Sequence, residues 1–337
     1  MAAERLRGGV ITGWGTALPE LVVTNAHYES RLDTSDTWIT DRTGIRERRH
    51  GGTTAGLAID AGRAALASAG LQPTDIDFVL LATTTPDHIV PSTASEVECE
   101  LGVPGGAADL NAACSGFVYA LIHAHGLLAL GLRRVLVIGS DTLSRITDQT
   151  DRNTAVLFAD GAGAVVLESV DGPGELLGWD LGSDGSARGL LTAPIGGFLD
   201  MDGKEVFRRA VRVMVDSAER SLERAGVRSD EVTLVVPHQA NIRIIEAAMQ
   251  RLDIPMQRCA TVLDMTGNTS SASIPLALAD ALERGQVDHD DLVLLVGFGA
   301  GMSWASAVLR WDERSRHLPG VHPRSLDPGT PRSGSRP

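Results

Sequence analysis

Cysteine is scarce in this sequence. The 337 residues include three cysteines, Cys99, Cys114 and Cys259, which lie far apart and form no Cys-x-x-Cys pair. This spacing excludes a disulfide framework and the usual ligand pattern of a zinc site, so we predict that the protein binds no metal. Unpaired thiols of this kind are typical of a reducing compartment, and we expect a cytoplasmic protein.

The sequence also lacks an excess of basic residues and any long apolar run. Its formal net charge of −13 argues against general binding to nucleic acid or to an anionic membrane surface. No basic-then-apolar leader opens the chain, and no apolar run reaches the ~20 residues that span a bilayer. Aromatic residues make up only 4% of the chain, so a core must be built from Ala, Val, Leu and Ile.

What the sequence does contain is a regular alternation of short apolar strands and amphipathic helices, which predicts an α/β protein. Glycine follows the last turn of each predicted helix, as a C-cap does. The predicted strands are 10–13, 78–83, 135–139, 162–167, 233–236 and 292–296. The predicted helices are 55–69, 92–101, 115–130 and 205–225.

The two halves of the chain resemble each other in the order and spacing of their strands. F-V-L-L-A-T-T-T-P from Phe78 precedes V-L-V-I-G from Val135, and T-L-V-V-P from Thr233 precedes V-L-L-V-G from Val293. Chance similarity between α/β strands is the alternative, but the matched spacing favours a duplicated α/β unit. The expected division is into residues 1–172, residues 173–312 and a disordered tail at 313–337.

Cys114 lies in D-L-N-A-A-C-S-G-F, where an apolar strand gives way to a helix. A thiol there faces free backbone N–H groups and the positive end of the helix dipole, which lower its pKa, and the thiolate is the nucleophile. The alternative is a buried structural thiol, the common state of a free cysteine. We assign that structural role to Cys99 and Cys259, while for Cys114 this context alone leaves both roles open.

His238 lies in V-V-P-H-Q-A-N-I-R at a strand end, and Asn268 lies in the Gly- and Ser-rich turn M-T-G-N-T-S-S-A-S. Each alone is compatible with a structural role. In the internal repeat, however, Asn268 takes roughly the place that Cys114 has in the first half, so we expect the three side chains to converge. A Cys, a neutral His and an Asn form a site for thioesters: the thiolate attacks, and N–H groups stabilise the oxyanion.

The Gly-rich turn G-F-G-A-G at 297–301 is expected to bring backbone N–H groups close to the same pocket. A dinucleotide-binding loop is the alternative interpretation. The spacing is not G-x-G-x-x-G, and strand-like sequence follows it where a helix should begin. The same objection applies to D-G-A-G-A from Asp160.

The sequence carries five motifs in register: D-T-W-I-T-D-R-T-G-I-R-E-R-R, N-A-A-C-S-G-F, V-P-H-Q-A-N-I-R-I-I, G-N-T-S-S-A-S and G-F-G-A-G-M-S-W. Over residues 10–311 it resembles β-ketoacyl-acyl-carrier-protein synthase III (KAS III), of the thiolase-like superfamily. The resemblance implies a thiolase-like fold with five α-β-α-β-α layers built from two duplicated halves, and it implies a homodimer.

The resemblance also implies roles for individual residues. Cys114 would accept the acyl group, and His238 and Asn268 would promote decarboxylation of a malonyl unit. The backbone N–H groups of Cys114 and Ala300 would form the oxyanion hole. Phe298 would crowd the ring of His238 at the acyl pocket.

Binding residues follow from the same resemblance. Trp38, Arg42 and Arg152 match positions that hold the coenzyme A nucleotide, and Asn241 would touch the pantetheine amides. A guanidinium suits phosphate and an indole suits adenine, although a solvated charged face is the alternative for R-E-R-R. A basic patch for an acidic carrier protein would comprise Arg208, Arg209, Arg212, Arg243 and Arg251.

Two departures from the family pattern bear on the substrate. Val90 falls where some members carry a Phe that limits the acyl pocket from across the dimer. The segment 192–204 is shorter than in housekeeping members. Both features leave room for a specialised starter acyl group.

The resemblance implies that an acyl group passes from acyl-CoA to Cys114 and is condensed with malonyl-acyl-carrier protein or malonyl-CoA. This decarboxylating condensation would initiate fatty acid or polyketide biosynthesis without a metal or redox cofactor. One alternative is an acyltransferase that moves the acyl group to an alcohol or amine, although Asn268 offers no acid or base for that reaction. Two others are a catalytically inactive partner subunit and a degradative thiolase, which would carry a second active-site cysteine.

Overall fold

A computed structural model describes residues 7–314 of the chain. In this part the alternating sequence forms strands and helices. The strands are β1 (Arg7–Ala17), β2 (Leu21–Thr24), β3 (Glu47–His50), β4 (Phe78–Ala82), β5 (Gly106–Leu110), β6 (Arg134–Thr142), β7 (Asp160–Asp171), β8 (Leu176–Ser183), β9 (Leu191–Thr192), β10 (Asp200–Met201), β11 (Leu234–Pro237), β12 (Leu292–Gly299) and β13 (Ser303–Arg310). The helices are α1 (Asn25–Glu29), α2 (Asp36–Thr43), α3 (Thr54–Ala69), α4 (Thr93–Leu101), α5 (Gly116–Ala129), α6 (Arg152–Ala155), α7 (Gly203–Ala225), α8 (Ile242–Arg251), α9 (Leu263–Thr266) and α10 (Ser273–Glu283).

Every predicted strand and helix is present in this part of the chain. Gly70, Gly102 and Gly226 end α3, α4 and α7 in the left-handed conformation, with φ of 68°, 80° and 67°, which confirms the C-cap prediction. The predicted disordered tail lies outside the described residues from position 315 onward, and its disorder stays a prediction.

The first sheet has the strand order β1-β7-β6-β4-β5. Strand β4 is parallel to β5 and β6, since helices α4 and α5 supply the crossover connections, and β7 runs antiparallel to β6 and β1. Val79 and Leu81, on opposite faces of β4, are both fully buried. Burial of both faces indicates that helices cover the sheet on each side.

The second sheet repeats this topology with the order β11-β12-β13-β8. Strands β11 and β12 are parallel, as β4 and β6 are, and β13 runs antiparallel to β12 and β8, as β7 does to β6 and β1. Among residues 7–314, strand β5 has no counterpart in the second sheet. The shared pairing pattern is the structural form of the repeat that the sequence indicated.

Helices form three layers around the two sheets. Helices α3 and α4 pack on the outer face of the first sheet, and α7 and α8 pack on the outer face of the second. Between the sheets lie α5 and α10, whose Phe117 and Ile274 are fully buried. Truncating a Phe at this depth to Ala costs about 3–5 kcal/mol of stability. The layer order α-β-α-β-α is the one expected from the sequence.

The fold brings several chain segments to one end of the central layer. Residues 111–115 lead from β5 into α5, and residues 268–272 lead into α10. His238 follows β11 directly, and the 300–302 turn follows β12. Among the helices of residues 7–314, none is both long and apolar enough to cross a membrane.

Candidate active site

Two turns of the same backbone conformation meet at the centre of the molecule. Asn111 Oδ1 accepts the N–H of Ala113 at 3.2 Å, and Asn268 Oδ1 accepts the N–H of Ser270 at 2.9 Å. Ala113 and Ser270 both have positive φ, 48° and 50°, which is uncommon for residues with a Cβ. In each turn a short 3₁₀ segment then leads into the helix, α5 or α10.

The structural repeat therefore pairs Asn268 with Asn111, and it pairs Cys114 with Ser271. The sequence-based expectation that Asn268 occupies the place of Cys114 is wrong by three residues. The connections between equivalent strands differ in length, so strand spacing alone located the turn only approximately.

Cys114 is buried at the 3₁₀ segment that precedes α5. The pKa of its thiol is raised to about 12, mainly by burial. The hydrogen bond with the Ser270 hydroxyl and the backbone N–H of Cys114 lower this pKa, and the negative charge of Asp141 raises it. The backbone N–H does lower the pKa of Cys114, as predicted, but the predicted net lowering is wrong. Desolvation outweighs the N–H groups, so the thiol is protonated at neutral pH.

The end of β12 presses closely on the Cys114 turn. A Cβ on Gly299 would collide with the backbone N of Cys114, so only glycine allows this approach. Ala300 and Gly301 follow directly, and both line the same cavity as Cys114. The Gly-rich segment therefore serves close packing at the cysteine, in agreement with the argument against a dinucleotide loop. The oxyanion hole formed by the N–H groups of Cys114 and Ala300 stays a prediction.

His238 is buried and neutral. Desolvation lowers the pKa of its imidazole to about 3. Its Nδ1 lies 2.7 Å from Ser273 Oγ, which also accepts the N–H of Gln239 at 3.3 Å. In the arrangement that satisfies these groups, the Ser273 hydroxyl donates to Nδ1, which leaves the ring proton on Nε2. The Phe298 ring packs edge-on against the imidazole with centroids 5.3 Å apart.

Asn268 is held by its backbone. Its N–H donates to the carbonyl of Leu157 at 2.9 Å, and its carbonyl accepts the N–H of Ala159 at 2.9 Å. Because Oδ1 is already engaged by Ser270, the side-chain NH₂ remains as the donor. Asn268 and His238 therefore both offer N–H groups, as expected for oxyanion stabilisation.

A single turn, residues 268–273, links the three predicted catalytic side chains. It contains Asn268 itself, it places Ser270 on the Cys114 thiol, and it places Ser273 on the His238 ring. Neither serine is a residue that the sequence singles out. The signal available is the run of hydroxyl residues in T-S-S-A-S, which by itself indicates only a turn.

Beside Cys114 lies a cavity of about 570 Å³. Its apolar wall includes Tyr119, Leu143, Ile146, Phe158, Leu191 and Leu199, and its polar lining includes Thr84 and Asn111. Phe298, predicted for the acyl pocket, contacts His238 and is not among the residues that line this cavity. Val90 is 83% exposed and does not line the cavity of its own chain, so its role across a dimer stays a prediction.

A second cavity, of about 690 Å³, contains most of the predicted coenzyme A residues. Trp38, Arg42 and Asn241 line it, and the guanidinium groups of Arg42 and Arg152 lie 5.7 and 5.0 Å from the centre of the Trp38 ring. The Asn241 side chain caps α8 through the N–H of Arg243 and donates to the carbonyl of Arg42 at 2.9 Å. The structure thus brings these four residues together.

The five arginines of the predicted basic patch lie on two helices, α7 and α8. Arg208, Arg209 and Arg212 line a third cavity, of about 340 Å³, along α7, where Glu205 pairs with the first two. Arg243 lines the second cavity. Arg251 ends α8, about 12 Å along the helix from Arg243, because eight residues separate them. Because Arg243 also packs over the ring of Phe207, next to Arg208 on α7, the role of the five arginines as one carrier-protein patch stays a prediction.

Comparison with known proteins places this architecture in a family. Residues 108–185 match the family model of 3-oxoacyl-[acyl-carrier-protein] synthase III, and residues 222–311 match the model of its C-terminal part. The β-ketoacyl-[acyl-carrier-protein] synthase III of Roseiflexus castenholzii is 48% identical over 321 residues, covering 89% of this chain and 97% of that protein. The Geobacillus kaustophilus protein of the same name is 47% identical, covering 90% and 99%.

Experimental structures agree with this result. The Aquifex aeolicus 3-oxoacyl-[acyl-carrier-protein] synthase III superposes with a TM-score of 0.88 at 44% identity, covering 90% of this chain and 100% of that one. The priming β-ketosynthase of the R1128 polyketide pathway superposes with a TM-score of 0.87 at 36% identity, covering 93% and 98%. The thiolase-like fold expected from the sequence is confirmed. The chain belongs to the β-ketoacyl-acyl-carrier-protein synthase III family.

Proposed function

We propose that this protein is the acyltransferase that performs the first decarboxylating condensation of a fatty acid or polyketide pathway. A starter acyl group passes from acyl-CoA to Cys114 and is then joined to the malonyl unit of malonyl-acyl-carrier protein or malonyl-CoA. The observation that carries this proposal is the 268–273 turn, which joins the Asn268 amide, the partner of a neutral His238 and the partner of Cys114.

The first half-reaction is transfer of the acyl group to sulfur. Cys114 Sγ attacks the thioester carbonyl, the bond from that carbonyl to the CoA sulfur breaks, and the thiol proton leaves with CoA. The raised pKa of the thiol means that this proton is present when acyl-CoA enters. Backbone N–H groups of Cys114 and Ala300 stabilise the negative oxygen of the tetrahedral intermediate.

The second half-reaction is condensation. The His238 Nε2–H and the Asn268 side-chain N–H donate to the malonyl thioester oxygen, which becomes an enolate as carbon dioxide leaves. The enolate carbon attacks the acyl carbonyl, and the Cys114 thiolate departs and is reprotonated. A His238 pKa of about 3 suits this role, because a neutral ring donates a hydrogen bond without giving up its proton.

The second cavity is the proposed entrance for coenzyme A thioesters. Its indole, Trp38, provides a stacking surface for adenine, and the guanidinium groups of Arg42 and Arg152 beside it suit phosphate. Asn241 has one amide hydrogen beyond its bond to Arg42 and is proposed to contact pantetheine. Arg208 and Arg243, which flank this region on α7 and α8, are proposed to receive an acidic carrier protein.

We also propose a homodimer whose chains each comprise two halves, residues 1–172 and 173–312. In the part of the chain that the structure describes, strand β5 ends the first sheet with an unpaired edge, and Ile89 and Val90 are exposed by 76% and 83%. Exposed apolar side chains near an open sheet edge suit burial against a second copy of the chain. We propose that the cavity of about 570 Å³ beside Cys114 holds the acyl group, and we call it the acyl cavity. In such a dimer the partner is proposed to complete its wall.

The reaction requires no redox or metal chemistry, so we propose that coenzyme A thioesters are its only small-molecule reactants. The thiol chemistry requires a reducing compartment, and the three cysteines are all free, which supports a cytoplasmic location.

An acyltransferase acting on an alcohol or amine is the rival function. That reaction needs a base to take the proton of the acceptor, and neither the Asn268 amide nor an imidazole with a pKa of about 3 serves at neutral pH.

Intact-protein mass after incubation with a panel of acyl-CoAs tests the first half-reaction, and carbon dioxide release on adding malonyl thioester tests the second. We expect one acyl group per chain followed by carbon dioxide release. Acyl transfer to an alcohol or amine without carbon dioxide release would overturn the proposal.

A further inference from the structure

A buried carboxylate lies behind the active site, and the mechanism above does not use it. Asp141, on β6, has no exposed surface. Its Oδ1 accepts hydrogen bonds from three consecutive residues: the hydroxyl of Thr83 at 3.1 Å, the N–H and hydroxyl of Thr84 at 2.7 and 2.8 Å, and the N–H and hydroxyl of Thr85 at 3.2 and 3.0 Å. Its Oδ2 accepts the N–H and hydroxyl of Ser271 at 3.0 and 2.6 Å.

No basic side chain pairs with Asp141 among residues 7–314. A buried charge of this kind is costly unless hydrogen bonds replace its hydration, and here seven N–H and O–H groups do so. Every contact uses Asp141 as an acceptor, which an ionised carboxylate satisfies with both oxygens.

The two sides of this network belong to the two halves of the catalytic site. Thr83–85 follow β4 in the first half, and Thr84 lines the acyl cavity beside Cys114. Ser271 lies in the second half, next to Ser270 and two residues before Ser273. A Cβ on Gly139, two residues before Asp141, would collide with the carbonyl of Ser271, so β6 and the turn are in close contact here as well.

We propose that Asp141 is a positioning residue for the condensation step, which fixes the 268–273 turn, and with it Asn268 and His238, against the wall that carries Cys114. The inference rests on the proposed function. Its physical basis is directional: an Asn at 141 would present an NH₂ group to donors that now meet an oxygen. The turn would have to move to relieve that clash.

The test separates the two half-reactions in Asp141→Asn. Acylation of Cys114 is followed by intact-protein mass, and carbon dioxide release from malonyl thioester is followed on the same preparation. We expect carbon dioxide release to fall about 100-fold, the effect of losing one aligned oxyanion donor. Acylation should fall less than about fivefold, since the Cys114 N–H and the 300–302 turn are untouched. A weaker Ser270 contact would raise the pKa of the Cys114 thiol, but loss of the Asp141 charge would lower it, and these two effects oppose each other. An equal fall in both rates, or an unchanged rate of carbon dioxide release, would overturn the proposal.

Ser271→Ala and the double variant test the coupling directly. Ser271→Ala loses the hydroxyl bond but keeps the N–H bond, so carbon dioxide release should fall about tenfold, as is usual for one hydrogen bond to a charged group. The double variant should be no slower than Asp141→Asn alone, because both act through one contact. Additive losses would contradict the proposal. If Asp141→Asn does not fold, Ser271→Ala decides: a selective loss of carbon dioxide release supports the proposal, and no selective loss overturns it.

Asp180→Asn provides a matched control. Asp180 is a buried carboxylate that accepts from Ser217 at 3.0 Å and Trp304 at 3.2 Å, but it is paired with Arg220. This variant should lower the thermal midpoint while leaving the ratio of the two rates as in the wild type. A wild-type protein that never acquires an acyl group would refute the proposed function itself, a result distinct from failure of the Asp141 inference.

Discussion

The turn at 111–116 and the turn at 268–273 have the same backbone conformation but carry different side chains at equivalent positions. Each is closed by an Asn side chain on the N–H two residues later, and each leads into a central helix. The first presents Cys114 to the acyl cavity, whereas the equivalent Ser271 is turned to Asp141. The comparison shows one backbone scaffold used twice with different side chains at equivalent positions, which is what the proposed division of the reaction requires.

The helix starts differ in the same way. At the start of α5 the residue is Gly116, where a Cβ would lie 3.1 Å from Ala82 Cβ, and a small residue suits the tight packing. At the start of α10 the equivalent residue is Ser273, whose hydroxyl holds the His238 ring. The first turn therefore packs closely at its helix start, and the second carries there a hydroxyl that contacts the His238 ring.

The largest effect is expected from removing the Cys114 thiol, which distinguishes the first turn from the second. Cys114→Ala should abolish acyl labelling, as measured by intact-protein mass after incubation with acyl-CoA. Cys99→Ala and Cys259→Ala should label normally. Burial raises the thiol pKa of Cys259 to about 12 as well, so thiol pKa does not distinguish it from Cys114; only Cys114 lines the acyl cavity. An acyl group found on Cys99 or Cys259 would contradict this assignment.

The second prediction compares the two Asn residues. Asn268→Ala and His238→Ala should each lose about 3 kcal/mol of transition-state stabilisation in decarboxylation, or roughly 100-fold in rate. Acylation of Cys114 should fall less. Asn111→Ala removes the same backbone contact from the turn that carries Cys114, so it should slow acylation of Cys114 more than carbon dioxide release. Wild-type carbon dioxide release by both Asn268→Ala and His238→Ala would show that the donors were assigned wrongly.

The third prediction concerns pH and the buried imidazole of the second half. The folded pKa of His238 is about 3, below the ordinary 6.5, so the unfolded chain binds the proton first as the pH falls. The contribution of the neutral His238 to the free energy of unfolding is therefore fully present above about pH 6.5. Below that pH it decreases, by about 2 kcal/mol at pH 5. Urea unfolding at pH 7 and pH 5 measures the loss of unfolding free energy between these two pH values. This loss should be about 2 kcal/mol smaller in His238→Gln than in the wild type, because the variant has no imidazole at this position. An identical loss in both proteins would contradict the burial of a neutral His238.

Part of the fold and of the candidate site was predictable from local sequence, and part was not. Strands and helices such as β12 and α7 were predicted because apolar periodicity and glycine caps are local signals. Cys114, His238 and Asn268 were selected because each lies in a distinctive motif, and the structure brings them together at the 268–273 turn, while their catalytic roles stay a prediction. The sequence predicted a lowered pKa for the Cys114 thiol, whereas the structure raises it. The thiol is buried by residues from both halves of the chain, which the local motif does not reveal. The clamp between Asp141 and Ser271 was not predictable, because it joins residues far apart in sequence.

The smallest expected effect lies at the rim of the first half. Val90→Phe should reduce acylation by branched or medium-length acyl-CoAs by roughly tenfold, while acetyl-CoA is nearly unaffected, because two buried methylenes contribute about 1.6 kcal/mol. Rates of Cys114 acylation across chain lengths provide the measurement. Equal losses at all lengths would indicate misfolding, and no loss would show that Val90 does not line the pocket of the proposed dimer.

A single-turnover experiment tests the division of labour between the two turns most directly. Acyl-Cys114 enzyme is prepared with one acyl-CoA, freed of excess reagent and mixed with malonyl thioester, while protein mass and released carbon dioxide are followed together. The account predicts one carbon dioxide released for each acyl group lost, with a 3-oxoacyl thioester two carbons longer as the product. Loss of the acyl group without carbon dioxide release would contradict it.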